Sequence, residues 1–154
     1  MKLYLVQHGN ALAKEIDPER PLSEMGRSDV ELLARSLTEH IEVSRIIHSG
    51  KLRARQTADI LAQFIEIKPS VEVFSSINPN DPVEAFAQWV DDCSEDLLVV
   101  GHLPFMSKFV SLLLTGSTEE TTVSYTAGSI VCLESSGDGG WQMLWMVRPE
   151  LLIH

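Results

Sequence analysis

The 154-residue sequence predicts a three-layer α/β/α sandwich, with a mostly parallel sheet and an antiparallel C-terminal hairpin at one edge. Three observations carry this expectation. Strand-like and helix-like segments alternate four times along the chain. The strand-like segments LYLV (3–6) and DLLVVGH (96–102) are continuously apolar rather than alternating, which is the pattern of strands covered on both faces. The last two strand-like segments flank a glycine-rich turn and read as a hairpin. A single domain over residues 1–154 holds all of these, since a chain of this length buries one proper core.

The elements follow in order. Leu3 to Val6 form the first strand, and a polar loop, NALAKEIDPERP, follows it. Ser23 is placed to cap a helix over residues 24–41, where Val30, Leu33, Leu37 and Ile41 share one face. SRIIHS is a second strand. KLRARQTADILAQFI is a second helix, striped by Leu52, Ala58, Leu61 and Ile65. VEVF is a third strand. DPVEAFAQWVDDC is a third helix, with Pro82 suited to its first turn. After DLLVVGH, the helix PFMSKFVSLLLTG ends at Gly116. SIVCLE and WQMLWMV, joined by SSGDGG, complete the hairpin.

Composition narrows the function. A net charge of −10 argues against nucleic acid and anionic membranes as partners. No apolar run approaches the ~20 residues that span a bilayer. Met1-Lys2 and four apolar residues are too short for a signal-peptide core. Cys93 and Cys132 have no metal spacing and read as reduced core thiols. The expected location is the cytoplasm.

In open parallel sheets, ligands bind beyond the carboxyl ends of the strands. That rule selects His8 after the first strand, Ser49 with Lys51, Arg53 and Arg55 after the second, and His102 after the fourth. Gly9 is expected to let a ligand approach the backbone and to adopt angles a side chain forbids. Two histidines and an arginine on one rim suggest phosphoryl transfer. A neutral imidazole attacks phosphorus. Arginine grips phosphate with its planar fork, and a second histidine donates to the equatorial oxygens.

These residues resemble the motifs of the histidine phosphatase superfamily, most closely its small SixA-type phosphohistidine phosphatase branch. Gln7-His8-Gly9 stands where the family has Arg-His-Gly. Ser49, then three residues, then Arg53-Ala54-Arg55-Gln56-Thr57 matches its second motif. Gly101-His102-Leu103-Pro104 matches its third, and Arg20-Pro21-Leu22-Ser23-Glu24-Met25-Gly26 is similar to the branch's RPL(S/T)xxG segment. The resemblance covers essentially the whole chain and implies a phosphoglycerate mutase-like fold. It implies His8 as nucleophile, Arg53 as phosphate clamp and His102 as donor to the phosphoryl oxygens. It implies no metal and no organic cofactor. The substrate it implies is a phosphohistidine protein or a small phosphorylated molecule.

Gln7 departs from the family, whose arginine there binds phosphate. Glutamine keeps a donor and loses the charge. Arg20, Arg55 and Lys51 are candidate compensating cations, and Asn10 is a candidate phosphate contact or a turn residue. The general acid is hard to find: Asp81 is the only candidate in SSINPNDP. A phosphoramidate needs that acid less, because imidazole leaves more readily than an alkoxide. Arg53 could instead pair with Asp59. Arg55 is expected in solvent, His48 as structural, and His40 and His154 on the surface. Trp89, Trp141 and Trp145 are expected in packing. Two further readings compete with the phosphatase. One is a phosphate- or phosphoprotein-binding module without turnover, for which Gln7 argues. The other is a metal site of His8, His102 and a carboxylate, which lacks i, i+4 ligand spacing and clustered acids.

Overall fold

A computed structural model describes residues 1–152. The expected position of His154 lies outside the described residues. Six strands form one sheet: β1 (Lys2–Gln7), β2 (Arg45–His48), β3 (Ser70–Val73), β4 (Leu97–Gly101), β5 (Ile130–Ser135) and β6 (Trp141–Val147). Their order is β3-β2-β4-β1-β5-β6. The pairs β3–β2, β2–β4 and β4–β1 are parallel, while β1–β5 and β5–β6 are antiparallel. The parallel sheet with an antiparallel hairpin at one edge is therefore the architecture found.

The unbroken apolar strands have a direct physical reason. Side chains alternate across a strand, so a strand covered on both faces must be apolar at every position. In β1, Tyr4 and Val6 enter one core, with Val30, Leu33 and Leu37 of helix α1 (Glu24–Leu37) and Ala54, Ala58 and Leu61 of helix α2 (Leu52–Phe64). Leu3 and Leu5 enter the other. There they meet Phe86 and Val90 of α3 (Val83–Asp91) and Phe105 and Phe109 of α4 (Phe105–Thr115). Phe86 is the hub of this second core, 4.9 Å from Phe109 and 5.7 Å from Trp89 between ring centroids. Full burial of each such ring contributes about 1.5–3 kcal/mol. Trp145 packs near Tyr4, as expected of a packing residue.

Local signals set the helix ends. The Ser23 hydroxyl accepts from the Gly26 N–H at 3.0 Å, the expected cap of α1. Gly116 closes α4 in the left-handed conformation at φ 81°. The α1 expectation ran to residue 41, but the helix ends at Leu37, and a turn carries the chain through residues 38–40. Ile41 is still buried in the α1–α2 core, so the apolar spacing was real although the helix was not.

Candidate active site

The parallel strands β1, β2 and β4 end on one edge, and pairing brings their next residues together. Gln7 is in register with Gly101, and His48 with Val100. The His8 N–H donates to the Gly101 carbonyl at 3.0 Å. His8 and His102 consequently face each other with ring centroids 4.9 Å apart. Ser49, one residue past β2, reaches His102 from the other side, 2.6 Å from its Nε2. Arg53 projects from the first turn of α2.

The His8 ring has a defined tautomer. Its Nδ1 lies 2.7 Å from the Gly9 carbonyl oxygen, so Nδ1 carries the proton and Nε2 keeps its lone pair. Burial pushes the His8 pKa down to about 4, against a smaller opposing effect of that carbonyl, with Arg53 and Arg20 adding to the fall. His102, 1% exposed, is pushed down to about 3 by burial and then by His8, Arg53, Lys51 and Arg20. Both rings are neutral near pH 7. Among the described residues, the charges acting on them are cations rather than carboxylates. Burial and Arg20 also lower the Arg53 pKa. Three polar atoms here are buried without a partner: Gln7 Oε1, Arg53 Nε and His102 Nδ1.

The other expected residues separate clearly. Arg20 belongs to this electrostatic neighbourhood. Its Nε donates to the Leu12 carbonyl at 3.0 Å, and its backbone sits at φ 50°. A non-glycine residue there costs about 1–3 kcal/mol and persists where its surroundings demand it. Lys51 acts on His102, whereas Arg55 is exposed and lies 3.9 Å from Asp59. Arg55, not Arg53, therefore takes the Asp59 pairing. The Asn10 side-chain oxygen accepts from Ser23 at 2.8 Å, which ties it to the start of α1. Asp81 accepts from the Asn78 N–H at 2.8 Å within its own loop. His48 is buried and its Nδ1 accepts from the Gly50 N–H, a structural role; His40 is exposed. Among the described residues, no three His, Cys, Asp or Glu side chains cluster as metal ligands.

The backbone angles expected of Gly9 are not found. Its φ is not positive. A Cβ there would sit 2.8 Å from Val30 Cγ2, so glycine is required by the close approach of α1. Gly26 is more constrained: a Cβ would stand 2.0 Å from the Asn10 carbonyl oxygen. Gln56 and Thr57, noticed only as motif letters, hold the loops. Gln56 accepts from the Leu22 N–H at 2.7 Å and Thr57 from the Gly9 N–H at 3.0 Å. Ser49 is the residue that sequence reasoning noticed without giving it a role. The available signal was its place at a strand end beside a second strand end carrying histidine.

A cleft of about 510 Å³ lies at the opposite end of the sheet, lined by Lys2, Tyr4, His40 and the carboxylates Glu39, Glu42, Glu95 and Asp96. Its acidic lining repels anions, and none of the residues at the histidine pair touches it. The arrangement suited to an anionic phosphoryl group is the rim with His8, His102 and Arg53.

Sheet and rim together define an open α/β fold with a histidine pair and an arginine at the carboxyl edge of its parallel strands. A family model described as histidine phosphatase superfamily (branch 1) matches residues 3–73, from β1 to the end of β3. The phosphohistidine phosphatase SixA of Escherichia coli (strain K12) is 30% identical over 153 residues, covering 93% of each chain. The solved structure of the protein histidine phosphatase SixA complexed with tungstate has a TM-score of 0.87 and 25% identity, covering 99% of this chain and 100% of that one. The alpha-ribazole phosphatase of Shigella flexneri shares the fold at a TM-score of 0.76 and 14% identity, over 97% of each chain. The chain belongs to the histidine phosphatase superfamily, and its fold is the phosphoglycerate mutase-like one of the SixA structures. No described helix is long and apolar enough to cross a membrane.

Proposed function

We propose that the protein is a metal-independent phosphatase that hydrolyses phosphohistidine, carried on a protein, through a covalent phosphoryl intermediate on His8. The observation that carries this is the tautomer of His8. With Nδ1–H held by the Gly9 carbonyl, the Nε2 lone pair is the nucleophile, and the lowered pKa keeps it unprotonated. Nε2 attacks phosphorus as the P–N bond to the substrate imidazole breaks. The leaving imidazole takes the bonding pair and a proton from solvent. The His8 ring carries the phosphoryl group and the positive charge, still donating through Nδ1. Water then attacks phosphorus, releases a proton and frees orthophosphate, returning neutral His8.

Arg53 and His102 stabilise the equatorial oxygens in both steps. Gln7, Arg20 and Asn10 are the further phosphate-side candidates, with Arg20 the cation best placed to offset the charge that Gln7 lacks. The cationic surroundings of both histidines, among the described residues, support a substrate whose leaving group needs no protein acid. The relative complexed with tungstate, a phosphate-like oxyanion, supports anion binding in this fold. A cytoplasmic setting is part of the proposal, supported by the two free thiols Cys93 and Cys132.

The test is trapping. Wild type and His8→Ala are mixed with a phosphohistidine peptide or phosphoramidate, quenched in alkali and mapped by mass spectrometry. The expected result is phosphoryl on His8 and turnover in wild type, with neither in a folded His8→Ala. Turnover persisting in His8→Ala, or label on another residue, overturns the assignment. Tight phosphate binding without turnover in wild type would favour the binding-module reading that Gln7 raises.

A further inference from the structure

We propose that Ser49 is a positioning residue, which donates its hydroxyl proton to His102 Nε2 and so fixes His102 as the Nδ1–H tautomer facing the phosphoryl group. The proposal rests on the role of His102 just described.

The geometry is specific. Ser49 and His102 are both buried, at 8% and 1% exposed, with Oγ and Nε2 2.6 Å apart. The Lys51 N–H donates to the same Oγ from 3.4 Å, and among the described residues His102 Nε2 is the one acceptor within reach of the buried hydroxyl's proton, which therefore turns to the imidazole. An Nε2 that accepts from Ser49 is unprotonated. The single proton of the neutral ring must then sit on Nδ1, the atom left buried without a partner. A bare Nδ1 lone pair would repel a phosphoryl oxygen, whereas Nδ1–H donates to it. One hydroxyl therefore decides whether His102 helps or opposes the transferring group, much as an orienting partner sets a catalytic histidine's tautomer elsewhere.

The fold supplies this contact. Ser49 follows β2 and His102 follows β4, and the parallel register of His48 with Val100 sets them side by side. Ser49 is thus tied to the rim by its backbone, with its hydroxyl engaged by His102.

The experiment is 15N NMR of the His102 ring in wild type, Ser49→Ala and Ser49→Thr, alongside steady-state kinetics on phosphoramidate. Wild type should show a pyrrole-type Nδ1 and a pyridine-type Nε2. Ser49→Ala should lose that preference and lower kcat about 10- to 100-fold, below the full cost of a missing oxyanion donor, with KM little changed. Ser49→Thr, which keeps the hydroxyl, should restore the tautomer and most of kcat. An Nε2–H tautomer in wild type, or an unchanged tautomer in Ser49→Ala, overturns the proposal. The spectra decide this without turnover, so failure of the phosphatase reading is seen separately, as absence of hydrolysis by wild type.

Discussion

Replacing Gln7 by arginine should raise activity and lower stability, and the two effects have one cause. Gln7 is the last residue of β1. Its N–H donates to the Ser129 carbonyl at 3.0 Å, and its carbonyl accepts from the Gly128 N–H at 3.0 Å. The backbone is therefore fixed and only the side chain changes. The amide oxygen is buried without a partner, which costs about 1–3 kcal/mol for a group of this kind. Arginine exchanges that orphan for a guanidinium that must itself be desolvated in the empty site, and offers a charged donor. Charged hydrogen bonds contribute about 1.5–3 kcal/mol against about 0.5–1.5 for neutral ones. The difference of about 1–2 kcal/mol corresponds to a gain of about 5- to 30-fold in kcat/KM. The opposing effect is repulsion. Arg20 already depresses the Arg53 pKa, and a third guanidinium meets both in the empty site. The free variant should therefore unfold at lower urea than wild type, and saturating orthophosphate should recover much of the loss. The gain should be larger at low salt, because the Debye length there exceeds the ~8 Å of physiological ionic strength. The assay is hydrolysis of phosphoramidate and a phosphohistidine peptide at two salt concentrations, with His8→Ala as background. An unchanged kcat/KM in a folded variant refutes the clamp argument and assigns the role to Arg20. A lower value means the site is built around a neutral amide.

Other outcomes follow from the same geometry. Arg53→Ala and His102→Ala should each lower kcat about 10²- to 10³-fold; steady-state kinetics showing only a raised KM would make them uniform binding groups. Gly26→Ala forces a methyl to within 2.0 Å of the Asn10 carbonyl oxygen and should cost about 1–3 kcal/mol or more by urea unfolding, a wild-type midpoint being the contrary result. The two site histidines also make stability depend on pH. Their folded pKa values of about 4 and about 3 lie below the ordinary 6.5. Below pH 6.5 the unfolded chain takes up protons that the folded one refuses, so stability falls as pH drops towards 4, by an amount on the order of a few kcal/mol. His8→Ala should flatten this slope, and NMR should show neither ring titrating between pH 8 and 5; a midpoint near 6.5 for either would contradict their burial.

The sequence by itself determined the layers and the rim. Unbroken apolar runs at 3–6 and 97–100, short and bounded by polar segments, read as strands covered on both faces, because alternation leaves no position facing water. Once the sheet is parallel, the residues after each strand must lie on one edge, and so His8, Arg53 and His102 were legible as a set. Ser23 and Gly116 were legible because caps act locally. What the sequence left open depends on contacts between segments far apart in the chain. The last turn expected of α1 gave way at Leu37 although Ile41 kept its burial, since a buried side chain does not require a helical backbone. Gly9 and Gly26 are glycines because α1 and the Asn10 backbone crowd them, which no local conformational rule reports. That Arg55 rather than Arg53 lies near Asp59 is likewise a tertiary result, because packing Ala54 and Ala58 inward fixes the helix phase. Ser49 acquires a role only through the pairing of β2 with β4, which sets its hydroxyl against an imidazole 53 residues away. Strand register is decided by the burial of whole faces, not by any single residue, and so that contact belonged to the tertiary structure alone.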